Sequence, residues 1–90
     1  MKRIFKYPIP VADHSRLELP RGARILSVMN QREEIVLYAL VEDSAYQNEA
    51  WEIEVRGTGH DASGLTDHTF LGTVEMHGVL MFHVFVRGVG

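Results

Sequence analysis

The residues best suited to chemistry are consecutive: Arg56, Gly57, Thr58, Gly59 and His60. Two glycines one residue apart let successive backbone N–H groups turn to one side. Such a concave run of amides is an anion-binding nest. Thr58 adds a hydroxyl, Arg56 a permanent charge and His60 a second side-chain donor, so phosphate is the natural guest. No helical pattern follows the glycines, so neither the P-loop nor the dinucleotide fingerprint applies. The competing role for the glycines is a bulged turn that needs positive φ. Lys6 and Tyr7 complete the candidate ligand set as a further cation and a ring. Stacking a base on such a ring is worth roughly 1–3 kcal/mol.

The chain has five histidines and no cysteine. The missing cysteines remove disulfides, thiolate catalysis and Cys-based zinc or iron–sulfur sites. No histidines are spaced as H-x-H or H-E-x-x-H. Ligands could still converge in a barrel, and His60, His77 and Glu75 are the first set to test. For His83, on an apolar strand face, a buried imidazole bonded to a neighbour is the simpler expectation. No G-x-S-x-G elbow marks a nucleophile, and Glu33 and Glu34 fall in an expected turn. The reading is therefore non-enzymatic, with no catalytic residue, cofactor or metal assigned.

Strands must position these groups. The organising stretch is Ala23–Glu42, two apolar runs joined by the polar turn Asn30-Gln31-Arg32-Glu33. Ala23, Ile25, Ser27 and Met29 alternate with Leu26 and Val28, which predicts a strand. The second run, Ile35–Val41, is apolar on both faces, as a central buried strand would be. The residues Lys2–Tyr7 predict a first strand ended by Pro8 and Pro10. Ser15–Leu19 predicts a second, and Pro20-Arg21-Gly22 a tight turn. Asp43–Ala50 reads as a loop with one helical turn at most. Trp51, Ile53 and Val55 point inward and Glu52, Glu54 and Arg56 outward. Tyr38 and Trp51 are expected in the core. Gly57–Asp67 is the longest polar connection, and such loops often carry function. His68–His77 and Val79–Val86 predict a closing hairpin around Gly78, with Phe70, Val74 and Met76 on one face. The last strand is apolar on both sides, so it is either central or covered by a second subunit.

About seven short strands and no convincing helix predict an all-β fold, a small antiparallel sandwich or barrel in one domain spanning residues 1–90. A chain this short buries only about 60–65% of its unfolded surface, which favours a homo-oligomer. The net charge is -3, whereas binding of long nucleic acid needs a basic field. A small anion held by local donors is compatible with that charge. Lys6, Pro8 and Pro10 interrupt the N-terminal run and argue against a targeting signal. The apolar runs are too short to predict a membrane span.

An ordered set of short motifs covers nearly the whole chain. It comprises Ile4-Phe5-Lys6-Tyr7-Pro8, Glu18-Leu19-Pro20-Arg21-Gly22-Ala23, Ile25-Leu26-Ser27-Val28, Leu37-Tyr38-Ala39-Leu40-Val41, Gly57-Thr58-Gly59-His60, Leu71-Gly72-Thr73 and Phe82-His83-Val84-Phe85. This set resembles a family of small uncharacterised bacteriophage and prophage proteins. Tyr38 departs from it, since the family tends to carry Trp there, as does the Arg87–Gly90 tail. The chain is also similar in size to phage sponges that trap cyclic nucleotide signals of bacterial defence, such as CBASS. The resemblance implies a protein of the infected host's cytoplasm that partners itself and sequesters a small anionic nucleotide. The rival implication is a virion accessory or an inhibitor of a host protein.

Overall fold

In a computed structural model, which describes residues 1–89, the chain forms seven strands in two antiparallel sheets. They are β1 (Lys2–Ile9), β2 (His14–Pro20), β3 (Arg24–Gln31), β4 (Glu34–Glu42), β5 (Asn48–Gly57), β6 (Thr69–Met76) and β7 (Leu80–Val89). Sheet A has the order β1-β4-β3 and sheet B the order β2-β5-β7-β6. The double-sided apolar run Ile35–Val41 is the middle strand of sheet A, and the equally apolar β7 is interior to sheet B. Both are flanked by strands on each side, and their inward rows are covered by the opposite sheet.

The core forms where the inward rows of the two sheets meet. Ile35, Leu37, Ala39 and Val41 of β4 pack with Ile53 and Val55 of β5, Val74 and Met76 of β6, and Val84 and Val86 of β7. Ile9 and Leu19 close it from the edge strands. Burying these side chains supplies the main driving force, at roughly 1.5–3 kcal/mol for each large one.

Two hairpins fix the registers. Arg32 and Glu33 link β3 to β4 with φ of 55° and 62°, and His77 and Gly78 link β6 to β7 with φ of 54° and 74°. Both pairs have the positive φ of a type I′ turn, whose twist matches that of paired strands. The tips meet: the His77 amide donates to Glu33 at 2.7 Å. Asn30 donates to the Glu75 carbonyl at 2.9 Å. These bonds close the sandwich along the β3–β6 side.

Three local expectations are corrected. β1 continues through Pro8 to Ile9, pairing with Val36 and Ile35. It is an edge strand, where a missing N–H costs little. The alternation in β3 breaks at a bulge between Ile25 and Ser27. Ile25 and Val28 consequently both join the core, and Leu26 is left 40% exposed. A second bulge, between Phe70 and Gly72, turns Phe70 away from Val74 and Met76. It lies 5.3 Å from Phe85, ring to ring, on the outer face of sheet B.

Candidate functional site

The glycine loop follows β5 directly. The Thr58 amide donates to the Met81 carbonyl at 3.3 Å and the His60 amide to the Gly57 carbonyl at 3.0 Å. Gly59 has φ +88°. The loop is a turn with positive φ at Gly59, and two amides expected to form a nest, those of Thr58 and His60, are bonded within the chain. His60 folds back over Gly57, where an added Cβ would come within 2.8 Å of the ring. Thr58 shares a hydrogen bond of 2.8 Å with His83 Nε2, and Thr73 one of 2.9 Å with Nδ1. As expected of His83, its ring is satisfied by neighbours, but it is half-buried rather than buried.

Arg56 does not face a free ligand position. Its Nε donates to the Asp61 carbonyl at 3.0 Å, Nη1 to the Asp13 carbonyl at 2.6 Å, and Nη2 to Glu54 at 3.1 Å. It is a clasp that ties the β1–β2 link and the long loop to β5. Lys6 and Tyr7 lie elsewhere. Lys6 pairs with Tyr38, on the outer face of sheet A, and reaches Gln31 at 3.3 Å. Tyr7 pairs with Leu37, turns inward and packs on the core; burial raises its hydroxyl pKa. The seven expected ligand residues are thus divided among a loop, a clasp, an outer face and the core. Those left together, Gly57, Thr58 and His60, border a cleft of about 370 Å³ whose other walls are Val79, Leu80, Met81 and Phe82. That lining suits an apolar group better than phosphate.

The histidine cluster that forms is not the expected one. His60, His77 and Glu75 do not converge. Instead His14, Glu52 and Glu54 place donor atoms within 4.8 Å of one another. Antiparallel register sets His14 opposite Glu54, and Glu52 lies two residues away on the same face. Both carboxylates already have partners. Arg87 grips the two Glu52 oxygens at 2.9 and 3.0 Å and reaches Asp67 at 2.7 Å. Glu54, only 6% exposed, is bonded by His14 Nδ1 and Arg56. Burial alone would raise the Glu54 pKa, but the bonds from His14 and Arg56 outweigh it and hold the group below its ordinary value. Two guanidinium charges on two carboxylates leave little reason for a metal ion there. The outward Glu52-x-Glu54 pattern was readable in the sequence, but the partner across the ladder was not.

Against protein families, the model for a domain of unknown function, DUF7352, matches residues 1–89. The chain belongs to the DUF7352 family. No curated protein and no solved structure matches it.

The DUF7352 chain carries its most distinctive surface on the outer face of sheet A. Register places Val36, Tyr38 and Leu40 along the middle of that face. Pro8 and Met29 flank Val36, and Ile4 flanks Leu40. Ile4 is 59% exposed and Met29 50%. The rim carries Lys2, Lys6 and Arg24 on the strands and Arg32 at the turn, together with Glu34 and Glu42. Among the described residues none of these four cations makes an ion pair. The outer face of sheet B carries Glu18, Glu52, Glu54 and Glu75, with Arg16, Arg87 and Arg56 paired to the first three. The difference between the faces is that the four cations of sheet A have no acidic partner among the described residues, whereas those of sheet B do.

Proposed function

We propose that this chain is a non-enzymatic protein-interaction module that uses the outer face of sheet A. Its partner presents an apolar centre with an acidic rim. The observation that carries this reading is the exposed pair Ile4 and Met29, beside the half-buried Leu40 and among four cations, Lys2, Lys6, Arg24 and Arg32, that make no ion pair among the described residues. Three strands at about 4.8 Å spacing and eight residues at about 3.3 Å rise give roughly 400 Å² of face. It is about half of what one partner buries in a standard interface, so the complex is transient unless the free β1 edge joins it.

Self-association, the expectation from chain length, is proposed for a different surface. Two copies meeting through sheet A would oppose like charges. Phe70, Phe85 and Met81, around Glu75 on the outer face of sheet B, are the alternative seat for a second subunit. Sequestration of a cyclic nucleotide in an infected host, which the resemblance implied, is a separate proposal. It must draw its phosphate donors from outside the Gly57–His60 turn.

The test is a photo-crosslinking side chain at Met29, with and without Lys6→Glu. The proposal expects one stoichiometric partner, crosslinked through position 29, weakened by salt and lost in the Lys6→Glu variant. A partner retained in that variant, or crosslinked only from the opposite sheet, refutes it. Sedimentation of the purified chain, with Phe85→Glu as control, reads self-association independently.

A further inference from the structure

A wide concavity lies on the outer face of sheet B, at the end away from the glycine loop. It encloses about 600 Å³, within the range of small-molecule sites. Its floor is small because of one residue. Register sets Glu18, Ala50 and Val89 side by side across β2, β5 and β7, and Ala50 leaves a dip between longer neighbours. Arg16 and Arg21 border it, with the amides of Gln47 and Asn48. Arg21 is held in place twice. Its backbone amide donates to the Gln47 carbonyl at 2.8 Å, and its guanidinium donates to the Gln47 side chain at 2.9 Å. That leaves most of its five donors unused. Arg16 reaches only Glu18, at 3.4 Å and with both side chains more than half exposed. The other acid at the rim, Glu49, is already bonded to the Gly22 amide at 2.7 Å.

We propose that this depression binds a phosphate monoester carrying a planar ring, the chemistry of a nucleoside monophosphate. Arg16 and Arg21 take the phosphate, as guanidinium groups suit its oxygens in pairs. The ring lies on Ala50 and Val89, with the amides of Gln47 and Asn48 at its edge. The phosphate displaces Glu18 from Arg16. This site shares no residue with the glycine loop or with the outer face of sheet A.

The experiment is an amide proton–nitrogen NMR titration of the whole protein with AMP, inorganic phosphate and adenosine at low salt. AMP is expected to move the signals of Arg21, Gly22, Asn48 and Ala50. Phosphate alone, which loses the ring contacts, and adenosine alone, which loses the contacts to both arginines, should each bind at least about tenfold more weakly. Arg16→Gln and Arg21→Gln should each weaken AMP by about the same factor without changing the melting temperature. Ala50→Leu should block it, and Glu18→Gln should tighten it. No shifts with AMP at about 10 mM, equal affinity for AMP and inorganic phosphate, or shifts that survive both arginine variants would overturn the proposal. A lowered melting temperature in Ala50→Leu leaves the exposed Arg16 variant as the deciding measurement.

Discussion

Replacing Arg56 by methionine keeps the length of the side chain and removes the charge that neutralises Glu54. Glu54 is 6% exposed, and Arg56 is itself only 13% exposed. Breaking a buried ion pair from one side costs about 3–5 kcal/mol, because the remaining charge has no compensation. His14 still touches Glu54 and its side chain is 56% exposed. The lower end, about 3 kcal/mol, is therefore expected at neutral pH. A ninety-residue domain has roughly 5–13 kcal/mol in all, so the variant loses roughly a quarter to three fifths of its stability. Denaturant unfolding followed by Trp51 fluorescence measures the loss.

The pH dependence separates this cause from loss of the Arg56 bonds to the Asp13 and Asp61 carbonyls, which do not titrate. In the native protein the Glu54 pKa lies below its ordinary 4.5. Its contribution is present above that value and disappears as pH falls through the lower, folded-state pKa. In the Arg56→Met variant burial is opposed by His14 alone, so the folded pKa rises. The penalty is then fully felt at neutral pH and relieved as Glu54 takes up a proton on acidification. The stability gap between the two proteins should be widest near neutrality and narrow toward about pH 4.5. A gap independent of pH would refute the electrostatic account and leave only the carbonyl contacts. If the single variant fails to fold, Glu54→Leu with Arg56→Met should recover part of the loss, because an apolar pair carries no stranded charge.

Other perturbations test the frame. Both ring nitrogens of His68 are buried without a hydrogen-bond partner, so His68→Leu should stabilise by about 1 kcal/mol and raise the melting temperature by roughly 4–8 °C; a lower melting temperature would show that the ring is better satisfied than the geometry indicates. Arg32 occupies φ 55° in a type I′ turn, so Arg32→Asn should add a few tenths of a kcal/mol, measured by urea unfolding, and no gain would argue against the turn type. An added Cβ at Gly72 would come within 3.0 Å of Val28 across the sheets. Gly72→Val should therefore cost about 1–3 kcal/mol, and Val28→Ala should recover part of it in a double-mutant cycle; additive losses would separate the two positions.

The fold was legible because its determinants are periodic. Ile35–Val41 is apolar on both faces, and only a central strand buries both. Trp51–Arg56 alternates without interruption, and a half-covered strand follows directly. The errors in β3 and β6 have one cause: each contains a bulge, and one inserted residue reverses every side chain beyond it. Gly72 offered a hint, since glycine in a strand often marks a bulge or a close approach; Leu26 offered none. The candidate sites were less legible because they depend on which strands become neighbours. Arg56 reads as an available cation until β5 is placed beside the Asp13 segment and its guanidinium is used up. Arg16 and Arg21 look unremarkable on the chain, and only the Glu18–Ala50–Val89 register makes the dip between them. The border of sheet A gathers Lys2 and Lys6 with Arg24 and Arg32 by pairing β1 and β3 to opposite sides of β4. Alternation along a strand tells which residues share its face. Strand order decides which faces join, and in this chain that order depends on long-range pairing that no local pattern records.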